Sequence, residues 1–299
     1  MAPSIHILWL LSIQFLVLVN GGKIPAIIVF GDSSVDSGNN NYIPTVARSN
    51  FQPYGRDFNG GRPTGRFSNG KITTDFISDA FSLKPAIPAY LDPSYSISDF
   101  ATGVTFASAA TGYDNATSNV LRGFIPDKRG NERFPGELLR NPGRSSEYTI
   151  EEYENFLVGI AASFTEKLYE LGARKISLGG LPPMGCMPLE RTGNLMGGSE
   201  CVDSFNNLAA DFNGKLNALV IKQNKKFHGM QMVFSDPYGI LLKMIQKPAV
   251  YKTCSIIATY IVQNALAFEV TAVACCATGM FEMVYACSRR NPFTCSNAD

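Results

Sequence analysis

The sequence predicts an α/β protein built on a parallel sheet. Short apolar runs rich in β-branched residues recur along the chain, and amphipathic stretches with helical spacing separate them. The runs end in turns of small residues or proline, which are natural breakers.

Pro25–Phe30 is the first strand, and it feeds into Gly31-Asp32-Ser33-Ser34. Phe51–Asn69 is rich in Gly, Pro, Arg and Asn and reads as a long surface loop. Lys71–Phe81 has helical spacing, with Ile72, Phe76, Ile77 and Ala80 on one face. Val104–Ala107 is a second strand. Thr149–Leu171 is a helix: Thr149 caps it, Glu152 completes a capping box, and Gly172 stops it. Lys175–Leu178 is a strand running into Gly179-Gly180-Leu181-Pro182-Pro183. Val202–Lys222 is a second long helix, its apolar side formed by Phe205, Leu208, Ala209, Phe212, Leu216 and Leu219. Met230–Phe234 is a strand followed by Ser235-Asp236-Pro237.

Two segments break the pattern. Arg122–Asn141 has no apolar periodicity and carries Pro126, Pro135 and five Arg or Lys residues. Lys252–Ala267 is apolar and β-branched, but Gln263 and Asn264 interrupt it and it is too short for a membrane span.

Composition bounds the function. The 299 residues are 45% hydrophobic and 17% charged, with a formal net charge of +1. Such a chain buries a sizeable core and has no basic field for nucleic acid. Residues Ile5–Val19 are apolar apart from His6, Ser12 and Gln14, with Asn20-Gly21-Gly22 beyond them. This predicts a secretory signal peptide over residues 1–22, with an uncleaved anchor as the alternative, and a mature domain over 23–299. The seven cysteines suit that route, lack paired zinc-site spacing, and leave one thiol over. Leaving out Lys252–Ala267 removes Cys254 alone, so Cys254 is expected to be the unpaired one. Asn115-Ala116-Thr117 is a glycosylation sequon.

The stretch "VFGDSSVDSGNNNY" (Val29–Tyr42) places Ser33 at the carboxyl end of a strand, where parallel sheets bind ligands. A serine nucleophile needs a base, usually a histidine oriented by a carboxylate. If a helix began just after it, its N–H groups would stabilise an oxyanion. The alternative reading of Ser33 is a turn serine that caps a helix. The chain has two histidines. His6 falls in the leader, and His228 falls at the amino end of its strand, on the face opposite Ser33. Asp236 falls at a carboxyl end, on the face of Ser33.

The whole string resembles the opening block of the plant-type GDSL esterase/lipases of the SGNH hydrolase superfamily. The blocks Gly61–Ile77, Gly103–Ser118, Leu168–Pro188, Phe205–Val220, Phe234–Gly239 and Ala274–Met283 are similar to the same family, in the same order. The resemblance implies a flavodoxin-like three-layer α/β/α sandwich, secretion to the apoplast or cell wall, a monomer, and hydrolysis of carboxylic esters of lipids, acylated sugars or small aromatic compounds. It implies no metal and no organic cofactor. Ser33 matches the nucleophile, and its N–H matches one oxyanion donor. Ala110 matches a second donor, at a position where relatives read glycine. The Gly-x-Asn-Asp block is not found where Arg122–Asn141 stands, and with it a core strand is expected to be missing. The closing Asp-x-x-His block follows the equivalent of Asn291–Asp299 in relatives, so no catalytic Asp or His is identified. These departures leave an alternative: an inactive relative or a mis-spliced product that at most binds a ligand, with trace turnover.

Overall fold

The computed structural model describes residues 24–52, 54–114, 146–187, 190–191 and 200–247. The leader, Asn115, the segments 122–141 and 252–267, and Cys254, Cys275, Cys276, Cys287 and Cys295 lie outside the described residues.

Strand β1 (Ile27–Val29) runs parallel to β2 (Gly103–Thr105), with Ile28 opposite Val104. Beyond the strands, Phe106 N–H donates to Val29 O and Ser108 N–H to Gly31 O, so the two chains leave the sheet together. Strand β3 (Lys175–Gly179) runs parallel to β4 (Gln231–Ser235), with Ser177 opposite Val233. Among the described residues the two pairs are not hydrogen-bonded to each other. β1 is paired on one edge, and Ile28 is 61% exposed. Parallel strands joined through helices make this an α/β fold, as the sequence predicts.

The α-helices bounded within the described residues are α1 (Thr73–Ala80), α2 (Ile150–Glu170), α3 (Asp203–Lys226) and α4 (Tyr238–Gln246). The predicted cap of α2 is present: Thr149 Oγ1 accepts from Glu152 N–H at 3.3 Å, and Glu152 Oε2 accepts from Thr149 N–H at 2.8 Å. Gly172 ends the helix at φ 101°. Helices α2 and α3 pack on β3 and β4 around Ala161, Leu178, Phe212, Leu216, Leu219, Val220, Met230 and Met232.

Three readings are corrected. The 51–69 segment is not wholly a surface loop, because Arg66 is 6% exposed. Its guanidinium grips Asp75 bidentately, Nε to Oδ2 at 2.9 Å and a terminal nitrogen to Oδ1 at 3.2 Å. Correspondingly, α1 turns Thr74, Asp75 and Ser78 inward and leaves Phe76 and Ile77 exposed. The buried ion pair outweighs the apolar face in setting that helix's orientation. On α3 Phe205 is exposed, while the polar Asn206 and Asn213 are buried. They face the loop after β3: Gly185 N–H donates to Asn206 Oδ1 at 2.9 Å, and Leu181 N–H to Asn213 Oδ1 at 2.7 Å. Helix α4 was not anticipated, although Asp236 and Pro237 are ordinary helix-start residues.

Cys186 and Cys201 form a disulfide across a sequence separation of 15. A loop of that size confines the unfolded chain by roughly 3 kcal/mol. Replacing both cysteines by alanine is expected to lower unfolding stability by about that amount in a urea titration. An unchanged midpoint would mean the bridge does not form in solution.

Candidate active site

The turn after β1 is built from a few specific contacts. A Cβ on Gly31 would meet Val35 Cγ2 at 2.6 Å, so a larger residue there would force the Val35 side chain to move. Asp32 Oδ1 accepts from Ser34 N–H at 2.9 Å, and Asp32 O from Val35 N–H at 3.3 Å. This is an Asx-type turn, and Ser33 sits at its crest, half-buried, just past the carboxyl end of β1. No α-helix starts immediately behind it; the next helical turn is a short 3-10 segment, Asn39–Tyr42. The expected helix dipole is therefore not the source of oxyanion stabilisation.

A buried polar block stands behind the turn. Asp36 is fully buried; its Oδ1 accepts from Gly38 and Asn39 N–H, both at 2.7 Å, and its Oδ2 from Ala109 N–H at 3.1 Å. Asn39 Nδ2 donates to Thr105 O at 3.0 Å and Ala107 O at 2.7 Å. Ser108 N–H and Thr111 Oγ1 both donate to Gly31 O, at 3.0 and 3.1 Å. The 106–111 loop is thereby laced to the serine turn. Within it Ala110 has φ 71°, a conformation that costs a residue with a Cβ about 1–2 kcal/mol. Strain of this kind is retained where surrounding contacts over-determine it. The family resemblance names Ser33 and Ala110, and the structure places them past the ends of two strands that pair directly.

Burial raises the Asp36 carboxyl above its ordinary value, against the lowering effect of its backbone N–H donors. The sign follows from linkage. A folded pKa above the unfolded one gives stability that is complete in acid and declines as pH rises through the folded value. Relative to Asp36→Asn, the parent is expected to lose stability from acid to neutral pH. Parallel thermal scans at several pH values test this, and a parent that gains on the variant contradicts it. Partial burial, followed by the charge of Asp32, also raises the Tyr113 phenol.

His228 is exposed in the turn between α3 and β4, at the amino end of that strand, and its carbonyl accepts from Tyr169 Oη at 2.9 Å. The structure does not bring it to Ser33. Asp236 lies past the carboxyl end of β4, where its Oδ1 accepts from Tyr238 N–H at 2.9 Å and starts α4. Among the described residues no cluster of three metal-ligating side chains occurs, and no helix is long and apolar enough to cross a membrane. Asp36, Asn39 and Asn40 were not singled out from the sequence. The run of three asparagines behind an aspartate was the available signal.

A strand–turn–serine exit laced to a second strand exit is a place where a parallel α/β sheet can present a nucleophile. Comparison with known proteins agrees: residues 27–254 match the family described as GDSL-like Lipase/Acylhydrolase. GDSL esterase/lipase At2g04570 of Arabidopsis thaliana is 54% identical over 332 aligned positions, covering 98% of this chain and 91% of the relative. GDSL esterases/lipases At2g42990 and At4g26790 of the same plant are each 47% identical, covering 100% and 97% of this chain and 90% and 88% of their own lengths. The chain belongs to the GDSL-like lipase/acylhydrolase family, whose members are hydrolases of ester bonds. The 332 aligned positions exceed the 299 residues here, so At2g04570 carries residues inside the aligned span with no counterpart in this chain.

Proposed function

We propose that this chain is a secreted ester hydrolase in which Ser33 is the nucleophile. Ser33 Oγ attacks the ester carbonyl, the alcohol leaves, and water hydrolyses the resulting acyl-serine. The N–H groups of Ser33 and Ala110 stabilise the negative charge on the carbonyl oxygen as the tetrahedral intermediate forms. The observation that carries this reading is the Asx turn presenting Ser33, tied through Gly31 O to the loop containing Ala110. The substrates are carboxylic esters of lipids or of acylated small molecules and glycans. The apolar leader, cleaved after residue 22, directs a monomeric 23–299 domain to the apoplast, with glycosylation at Asn115. No catalytic Asp or His is identified for Ser33, so its proton passes through water to the departing alkoxide, which leaves as the alcohol.

Hydrolysis of p-nitrophenyl esters from acetate to laurate by the purified chain tests the reading. Release of p-nitrophenol above the buffer rate is expected, and His228→Ala is expected to stay within about twofold of the parent, since a distant histidine contributes nothing to the transition state. A severe loss in that variant would show that the histidine reaches the serine.

A further inference from the structure

Asn40 is buried and uses every polar atom of its side chain. Its Oδ1 accepts from Ser108 Oγ at 2.6 Å and from Ala109 N–H at 3.1 Å. Its Nδ2 donates to Ala47 O at 2.8 Å and to Ala109 O at 3.2 Å. The last contact has a consequence one bond further on. The Ala109 carbonyl and the Ala110 N–H belong to one planar trans peptide unit, so they point in opposite directions. Anchoring the carbonyl inward on Asn40 turns the Ala110 N–H away from the buried block. Asp36 Oδ2, which also accepts from Ala109 N–H, holds the other side of the same residue. With both peptide units flanking Ala109 fixed, the chain turns the corner at residue 110, where φ is 71°.

We propose that Asn40, backed by Asp36, is a positioning residue that fixes the Ala109–Ala110 peptide unit, and with it the direction of the Ala110 N–H in the loop laced to the Ser33 turn. The inference rests on the reading of Ala110 as an oxyanion donor. The left-handed conformation of Ala110 is then imposed by Asn40 rather than chosen by the alanine.

The test is a double-mutant cycle between Asn40→Ser and Ala110→Gly, read by urea unfolding and by steady-state hydrolysis of p-nitrophenyl butyrate. Serine is too short to reach Ala109 O and introduces no charge. Asn40→Asp keeps the acceptor and puts an oxygen against Ala109 O, giving a second, isosteric variant. In the parent, Ala110→Gly relieves the positive φ and is expected to raise the folding constant about threefold, net of the freedom glycine adds to the unfolded chain. In the Asn40→Ser background the gain disappears, because residue 110 is already free to relax. Each Asn40 variant misdirects the donor without removing it and lowers kcat by about tenfold or more, short of the roughly 10²–10³ lost when a donor is deleted, while KM stays within about twofold. An equal gain from Ala110→Gly in both backgrounds overturns the inference. So does a kcat untouched by either Asn40 variant. Should the parent turn over no faster than Ser33→Ala, the esterase reading falls, and the unfolding cycle still decides whether Asn40 sets the conformation of residue 110.

Discussion

Ser33→Ala is expected to bring hydrolysis of p-nitrophenyl esters down to the rate of the ester in buffer. Ser33 sits at the crest of the turn just past the carboxyl end of β1. Ser34 follows it with a hydroxyl of its own, so Ser34→Ala is the matched control and is expected to keep the parent's rate. Ser33→Ala removes one oxygen and leaves the Gly31, Asp32 and Val35 contacts in place, so folding is expected to be unchanged. Imidazole added to the assay supplies a base from solution. It is expected to accelerate the parent beyond its effect on free ester, and to give no such excess with the alanine variant. A Ser33→Ala protein with rate close to the parent's would remove Ser33 from the mechanism.

The largest effect on stability is expected at the ion pair behind the serine turn. Arg66 and Asp75 are 6% and 0% exposed. Asp75 also accepts from the N–H groups of Ile72 and Ile87, at 3.1 and 2.9 Å, and Arg66 also donates to Ile87 O at 2.9 Å and Ser37 O at 3.4 Å. The guanidinium lies 4.8 Å from the Phe58 ring. Asp75→Ala leaves that cation buried without its counter-ion and strands two backbone donors. Breaking a buried pair in this way costs about 3–5 kcal/mol, a large share of a domain stability of about 5–15 kcal/mol. Urea unfolding of Asp75→Ala is expected to show that loss. A change below about 1 kcal/mol, the size for an exposed pair, would mean that water reaches it.

The secondary structure was legible where local chemistry decides it. Thr149, Glu152 and Gly172 mark both ends of α2, and the β-branched run at Ile27–Val29 marks β1. It failed where a long-range contact overrides the local pattern. Arg66 stands in a Gly- and Pro-rich stretch that looks solvated, and only its meeting with Asp75, nine positions on, buries it. That pair then turns α1 over, so Phe76 and Ile77 face outward despite their spacing. The site shows the same division. Ser33 is legible because strand, glycine and turn are adjacent in sequence. Asn40 is not, because its partners lie 68 and 69 positions away at Ser108 and Ala109. An alanine does not announce a positive φ by itself; the glycine implied at position 110 by the family resemblance was the available signal, and the fold shows the strain.

The central claim is that an acyl group passes through Ser33. Brief incubation with p-nitrophenyl acetate, an acid quench, proteolysis and tandem mass spectrometry locate that group directly. The account predicts an acetyl ester on Ser33 in the peptide spanning Val29–Tyr42, absent from Ser33→Ala. Acetyl found on another residue in both proteins, with none on Ser33, would contradict it.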